Sequence, residues 1–213
     1  MDERVERAWL SYEHAIFTGD SGGLAAADRD LDAVEADLAL ARGRALHGRF
    51  LTDHVTNDAE FSHFERARHL YKSLGDVRGE AAALFWIGCY HQVVRDDNEA
   101  AVPSLEASRD CALRVGDRVT LSQALRHLGI ADHRAGRFPE ARVALEESTR
   151  IRRELGLTRG IAANLIGLAY IAAGEGRRDD GLAILAEAAT LAAADDASQI
   201  LRDIEEARAA LRD

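Results

Sequence analysis

The chain has 213 residues, a formal net charge of -10 from 27 Lys and Arg against 37 Asp and Glu, and 47% hydrophobic residues. That balance excludes intrinsic disorder, and a backbone with two prolines, Pro103 and Pro139, argues for helices throughout and against collagen-like, Pro-rich or hairpin-rich β architectures. The longest apolar stretch, 161–174, is interrupted by Asn164 and is short for a membrane span, so no membrane association is expected.

In chain order, residues 2–17 place Val5, Trp9, Tyr12 and Ile16 on one helical stripe, and Gly19 to Gly23 turn the chain. An Ala-rich acidic helix over 24–40 completes a capping pair at 1–40. From 41 to 195 two markers repeat. The first is a small residue inside an apolar helix: Gly48, Gly88, Gly129 and Ala169, separated by 40, 41 and 40 residues. The second closes the following helix: Gly75, Gly116, Gly156 and Asp196, separated by 41, 40 and 40. Two independent series on one period predict a helical repeat. Each unit reads as helix, tight turn, helix. In the third, Leu121, Leu125, Leu128 and Ala131 form one face, Gly136 to Phe138 turn, and Ala141, Leu145, Ser148 and Ile151 form the next. A stripe of Ile200, Ile204, Ala207 and Leu211 in a capping helix over 196–213 ends the array. The expectation is one all-α domain over 1–213, an α-α superhelix of about eleven antiparallel helices, with capping units hiding the open faces.

The markers have physical reasons. A Gly or Ala at a crossing point lets two helix backbones approach, at a cost of up to about 1 kcal/mol in propensity for Gly. The Gly of VGD and ELG sits where a helix C-terminus needs a left-handed residue, and Asp76 and Asp117 then stand ready to cap the next helix.

The segment HLGIADHRAGRFPEARVALEES resembles a tetratricopeptide repeat, with apolar-Gly in its first helix, Gly at the turn, and Ala with a large apolar residue in the second. Leu84, Leu125 and Leu165 stand at that family's aromatic position. His91, Asp132 and Ala172 stand at its later tyrosine, its second-helix proline is absent, and the period of 40 exceeds the usual 34. ALEESTRIRRELGLTRGIAANLIGLAYIA is similar to the long-period arrays attached to actinobacterial transcription regulators. The resemblance covers about 40–195 and implies an α-solenoid that binds peptides or protein partners. Carried over by position, the groove would hold Arg42, Arg49 and Asp53, then Phe85, Cys89 and Gln92, then Gln123, Arg126, His133 and Arg134, and last Ile166 and Tyr170. Such a surface suits an acidic peptide, because the planar guanidinium grips carboxylate in two parallel hydrogen bonds and aromatics anchor interfaces.

Charge is uneven: net -7 over 1–60, +1 over 61–176 and -4 over 177–213. An acidic chain lacks the basic footprint of a nucleic-acid binder, so no nucleic-acid partner is expected. Cys89 and Cys111 make no disulfide framework, and the opening MDERVERAWL carries no basic-then-apolar pattern, which reads as a reducing, cytoplasmic setting. His47, His54, His63, His69 and His91, with Asp53, invite a metal reading. No HExxH and no paired Glu-x-x-His pattern accompanies them, and no metal or cofactor is expected. Cys89 sits in an apolar stretch, and Asp132 and His133, adjacent on a helix, point about 100° apart, so no nucleophile or acid–base pair stands out and a non-catalytic role is expected. The turn GDSGG at 19–23 lacks the preceding strand that a dinucleotide loop requires.

These readings converge on a partner-binding scaffold, a regulatory adaptor in type. The alternative is a small-molecule sensor or enzyme with a pocket near His47, His91, His127 and Tyr170. The end stripes would also allow a two-fold homodimer through the terminal helices.

Overall fold

The computed structural model describes residues 1–212, which are all-α: ten α-helices and no strand among the described residues. In order they are α1 (Glu3–Thr18), α2 (Leu24–Asp53), α3 (Ala59–Leu74), α4 (Val77–Cys89), α5 (Asn98–Val115), α6 (Arg118–Arg134), α7 (Phe138–Glu154), α8 (Thr158–Gly174), α9 (Arg178–Ala194) and α10 (Ser198–Arg212). A π-helical turn, Tyr90–Val94, extends α4. Within each unit, neighbours in sequence pack against each other as a helical repeat. The chain divides into two compact units, Met1–Cys111 and the part from Ala112 onward.

The count is ten rather than eleven because α2 runs unbroken for 30 residues through the expected boundary at 40. No proline or polar turn cluster interrupts it. Its one candidate breaker before 48, Gly43, is buried against Phe64, where a Cβ would lie 2.4 Å from the ring. Tertiary packing holds that glycine helical against its weak propensity.

The turns follow the second marker series. Gly75, Gly116, Gly156 and Asp196 all have positive φ, between 50° and 71°. The following amide reaches five residues back, as in Asp117 N to Ala112 O (2.9 Å) and Leu157 N to Arg152 O (2.9 Å). This pairing satisfies the orphan carbonyls of the helix end. Asp96, Gly136 and Gly176 close the alternate turns in the same left-handed conformation. Asp76 and Asp117 cap α4 and α6 as expected, accepting from Gly79 N (3.0 Å) and Thr120 N (3.2 Å).

The first marker series is corrected by one residue in the first unit. A Cβ on Gly88 would lie 2.6 Å from Leu105 and 3.4 Å from the Ala101 carbonyl oxygen, and one on Gly129 would lie 3.0 Å from Leu145 and 3.1 Å from Ala141 O. In the next hairpin, Ala169 meets Gly181, whose Cβ would lie 2.8 Å from Ala169 O. Gly48 is exposed, and a Cβ there would meet nothing within 4 Å. The crossing of α2 and α3 is instead made by His47 and Glu60, which stand where the other hairpins carry Gly88 and Ala101. Nδ1 of His47 lies 2.8 Å from Oε1 of the fully buried Glu60. One turn along, Phe64, Leu105, Leu145 and Leu185 fill the equivalent core position with 0–1% exposure. Truncating any of them to Ala would cost about 2–5 kcal/mol.

In the first unit, Ala36, Ala39, Leu40, Phe64, Leu70, Ala83 and Ile87 form the core, with Phe61, Trp86 and Tyr90 packed on it. α1 is docked by Ala8 and by ion pairs from Arg4 to Asp37 (2.7 Å) and Arg7 to Asp30 (2.9 Å). Those contacts turn the predicted stripe outward, leaving Trp9, Tyr12 and Ile16 at 57%, 49% and 62% exposure. In the second unit, α8 touches both α6 and α10, so these three helices form the closer layer, with α7 and α9 behind. Ile204, Ala207 and Leu211 of α10 are buried in its core, as a cap requires, and are therefore spent inside the unit. No described helix is long and apolar enough to cross a membrane.

Candidate functional site

In the second unit, side chains from the closer helix layer line a cavity of about 230 Å³. α6 contributes Arg126, Ile130, His133 and Arg134; α8 contributes Ile166 and Tyr170; α10 adds Asp203. Helical spacing explains the convergence: Arg126, Ile130, His133 and Arg134 recur at steps of four and three, which stacks them on one face.

Arg126 is oriented by Nη1, which donates to the Ala163 carbonyl (2.9 Å) and toward Asn164 Oδ1 (3.5 Å). The His133 ring lies between Phe138 (5.6 Å) and Tyr170 (6.4 Å). Burial, and then the Arg134 charge, hold its pKa below the ordinary 6.5, so the ring is neutral at physiological pH. Burial first, then the charges of Glu206 and Asp203, raise the Tyr170 hydroxyl. The cavity therefore combines cationic forks, a neutral imidazole, a phenol and apolar walls from Ile130, Leu145 and Ile166, with Asp203 as its one acid.

Behind it runs a buried polar network. Asn164, with no exposure, donates from Nδ2 to Ser148 Oγ (2.9 Å) and Thr149 Oγ1 (3.1 Å), and its Oδ1 accepts from Arg152 Nη1 (2.9 Å). Burial, with Arg126 adding to it, lowers Arg152 to about 10, still charged at neutral pH.

Of the residues expected in the groove, Arg126, His133, Arg134 and Tyr170 meet in this cavity. Gln123 lines a separate one. Arg42 and Arg49 are exposed on α2 in the first unit. Phe85 and Gln92 differ from expectation. Phe85 is 4% exposed beside Trp86, and Gln92 is 3% exposed with Nε2 donating to Asn98 Oδ1 (2.9 Å). Both are spent on the interior: the apolar α4 carries buried residues around its circumference, and the π-helical turn points Gln92 at the next turn of chain. The His-lined alternative divides between the units, with His47 on Glu60 and Trp86 and His91 against Phe61 in the first, and His127 and Tyr170 in the second. Among the described residues, no group of three or more His, Cys, Asp or Glu is placed to hold a metal ion.

Sequence reasoning missed Asp203, Asn164 and Arg152. The repeat itself carried a signal for the last. Its counterparts at 71, 112 and 192 are Tyr, Ala and Ala, all buried, so a charged residue in that series stands out. No protein-family profile matches the chain, and no curated protein matches it.

Proposed function

We propose that the chain is a non-catalytic, cytoplasmic binding module of the tetratricopeptide type, a regulatory adaptor that holds an acidic segment of a protein partner against α6, α8 and α10. The observation that carries this reading is the convergence of Arg126, His133, Arg134 and Tyr170 in one cavity on the closer helix layer. In this reading the guanidinium groups of Arg126 and Arg134 draw side-chain or terminal carboxylates to the cavity. Ile166 and Tyr170 take an apolar neighbour, and the neutral His133 ring packs rather than repels. Asp203 sets polarity by rejecting a second carboxylate at the α10 end.

The experiment is selection from a random peptide library on the purified full chain, followed by fluorescence polarisation with the recovered peptides. Peptides rich in Asp and Glu with one large apolar residue are expected, and Arg134→Glu or Tyr170→Ala should weaken them about tenfold. Peptides without acidic enrichment, or affinities unmoved by both substitutions, would refute the proposal.

A further inference from the structure

A separate cavity of about 390 Å³ in the second unit is lined by Ser122 and Gln123 of α6, Arg152 of α7, Thr158 and Arg159 of α8, and Asp195 after α9. Its volume falls in the ordinary range of small-molecule sites, about 300–1,000 Å³. Two independent features meet there. The first is Arg152, 7% exposed. Its Nη1 donates to the Gly160 carbonyl (2.7 Å) and Asn164 Oδ1 (2.9 Å), and Nε is 3.5 Å from Ser122 Oγ. All three acceptors are neutral, and among the described residues Nη2 finds no protein acceptor. The charged neighbour that acts on Arg152 is a second cation, Arg126. A guanidinium taken out of water without an anion is costly, and the cost falls if an anion enters.

The second feature is the start of α8. Asp76 and Asp117 place a carboxylate on the first turns of α4 and α6. The equivalent residue before α8 is Leu157, with no side-chain cap, and Thr158, Arg159 and Gly160 of that uncapped turn line the cavity. The orphan N–H groups and positive dipole end of a helix favour an anion there. Room for the guanidinium is supplied by Gly160, where a Cβ would lie 2.9 Å from Arg152 Cδ. The one acid of the lining, Asp195, is taken by Arg159 at 3.0 Å on the rim.

We infer that this cavity binds a small organic anion, its carboxylate or phosphate group held by Arg152, the Thr158 hydroxyl and the first turn of α8. The site is distinct from the peptide-binding cavity and does not depend on it.

The test is thermal unfolding of the full chain at matched ionic strength with sodium phosphate, with sodium succinate, and with sodium chloride as reference. Phosphate or succinate is expected to raise the melting temperature beyond chloride, and whichever does so identifies the group. Arg152→Met should weaken that anion at least about tenfold. Leu157→Asp, at a surface position, places a carboxylate where Asp76 and Asp117 stand. It should raise the melting temperature without anion and abolish the anion-dependent rise. If neither anion outperforms chloride, or if a folded variant keeps the full rise, the inference is overturned. Should Arg152→Met not fold, Leu157→Asp decides alone.

Discussion

Gly88 and Gly48 make a matched pair for testing how the hairpins cross. Both sit inside helices of the first unit, so Ala at either gains about 1 kcal/mol in helix propensity. At Gly48 nothing opposes the gain, since a Cβ meets no atom within 4 Å. At Gly88 the Cβ would lie 2.6 Å from both Cγ and Cδ2 of Leu105, about 1 Å inside a normal carbon–carbon contact. Leu105 has no exposure and cannot swing into solvent. Overpacking of this kind costs about 1–3 kcal/mol. Gly88→Ala should therefore lose about 1 kcal/mol net, and Gly48→Ala should gain about 0.5–1 kcal/mol. Urea unfolding followed by circular dichroism reads the difference. With slopes of about 1–3 kcal/mol/M, the two midpoints should separate by roughly 1 M in opposite directions from the parent. Midpoints that move the same way would refute the assignment of His47 and Gly88, rather than Gly48, to the crossing.

Gly181→Ala should destabilise by about 1–3 kcal/mol on the same assay, since its Cβ meets the rigid Ala169 carbonyl. His47→Ala should cost about 3–5 kcal/mol by leaving Glu60 buried without its partner. His47→Gly with Glu60→Ala, which copies the second hairpin, should recover most of that loss. His133 should titrate below 6.5 by NMR, and Arg134→Gln should bring it closer to 6.5. Because its folded pKa is depressed, the unfolded chain takes the proton first, so His133 withdraws stability as pH falls through 6.5.

What was legible in the sequence is what the backbone demands locally. Glycines that need positive φ and aspartates that cap helices announce themselves by residue type, and their forty-residue recurrence fixed the hairpins. What a side chain faces depends on rotation about the helix axis, which distant partners set. Arg4 and Arg7 pin α1 through Asp37 and Asp30, so its apolar stripe faces out. Phe64 claims Gly43, which carries α2 through the expected break. Half of the candidate site was readable because Arg126, His133 and Arg134 share one helix and one face. Asp203 was not, because its place depends on where α10 docks. Arg152 was hidden in another way: the eye reads arginine as surface, while its repeat position is interior.

The four helices α6 to α9 are each 17 residues long, and each is followed by a three-residue turn. The chain thus carries a ruler with a twenty-residue division. Excising residues 137–176 would join Gly136 to Arg177, replacing a Gly-Arg junction by one with the same left-handed turn and the same amide reach, Arg137 N to Asp132 O becoming Arg177 N to Ala172's counterpart. A cut of twenty would exchange the two layers, and one that is not a multiple of twenty would also rotate every later face by about 100° per residue out of phase. Array length is therefore a quantity that duplication or deletion can change in whole steps while the turns between helices keep their backbone geometry.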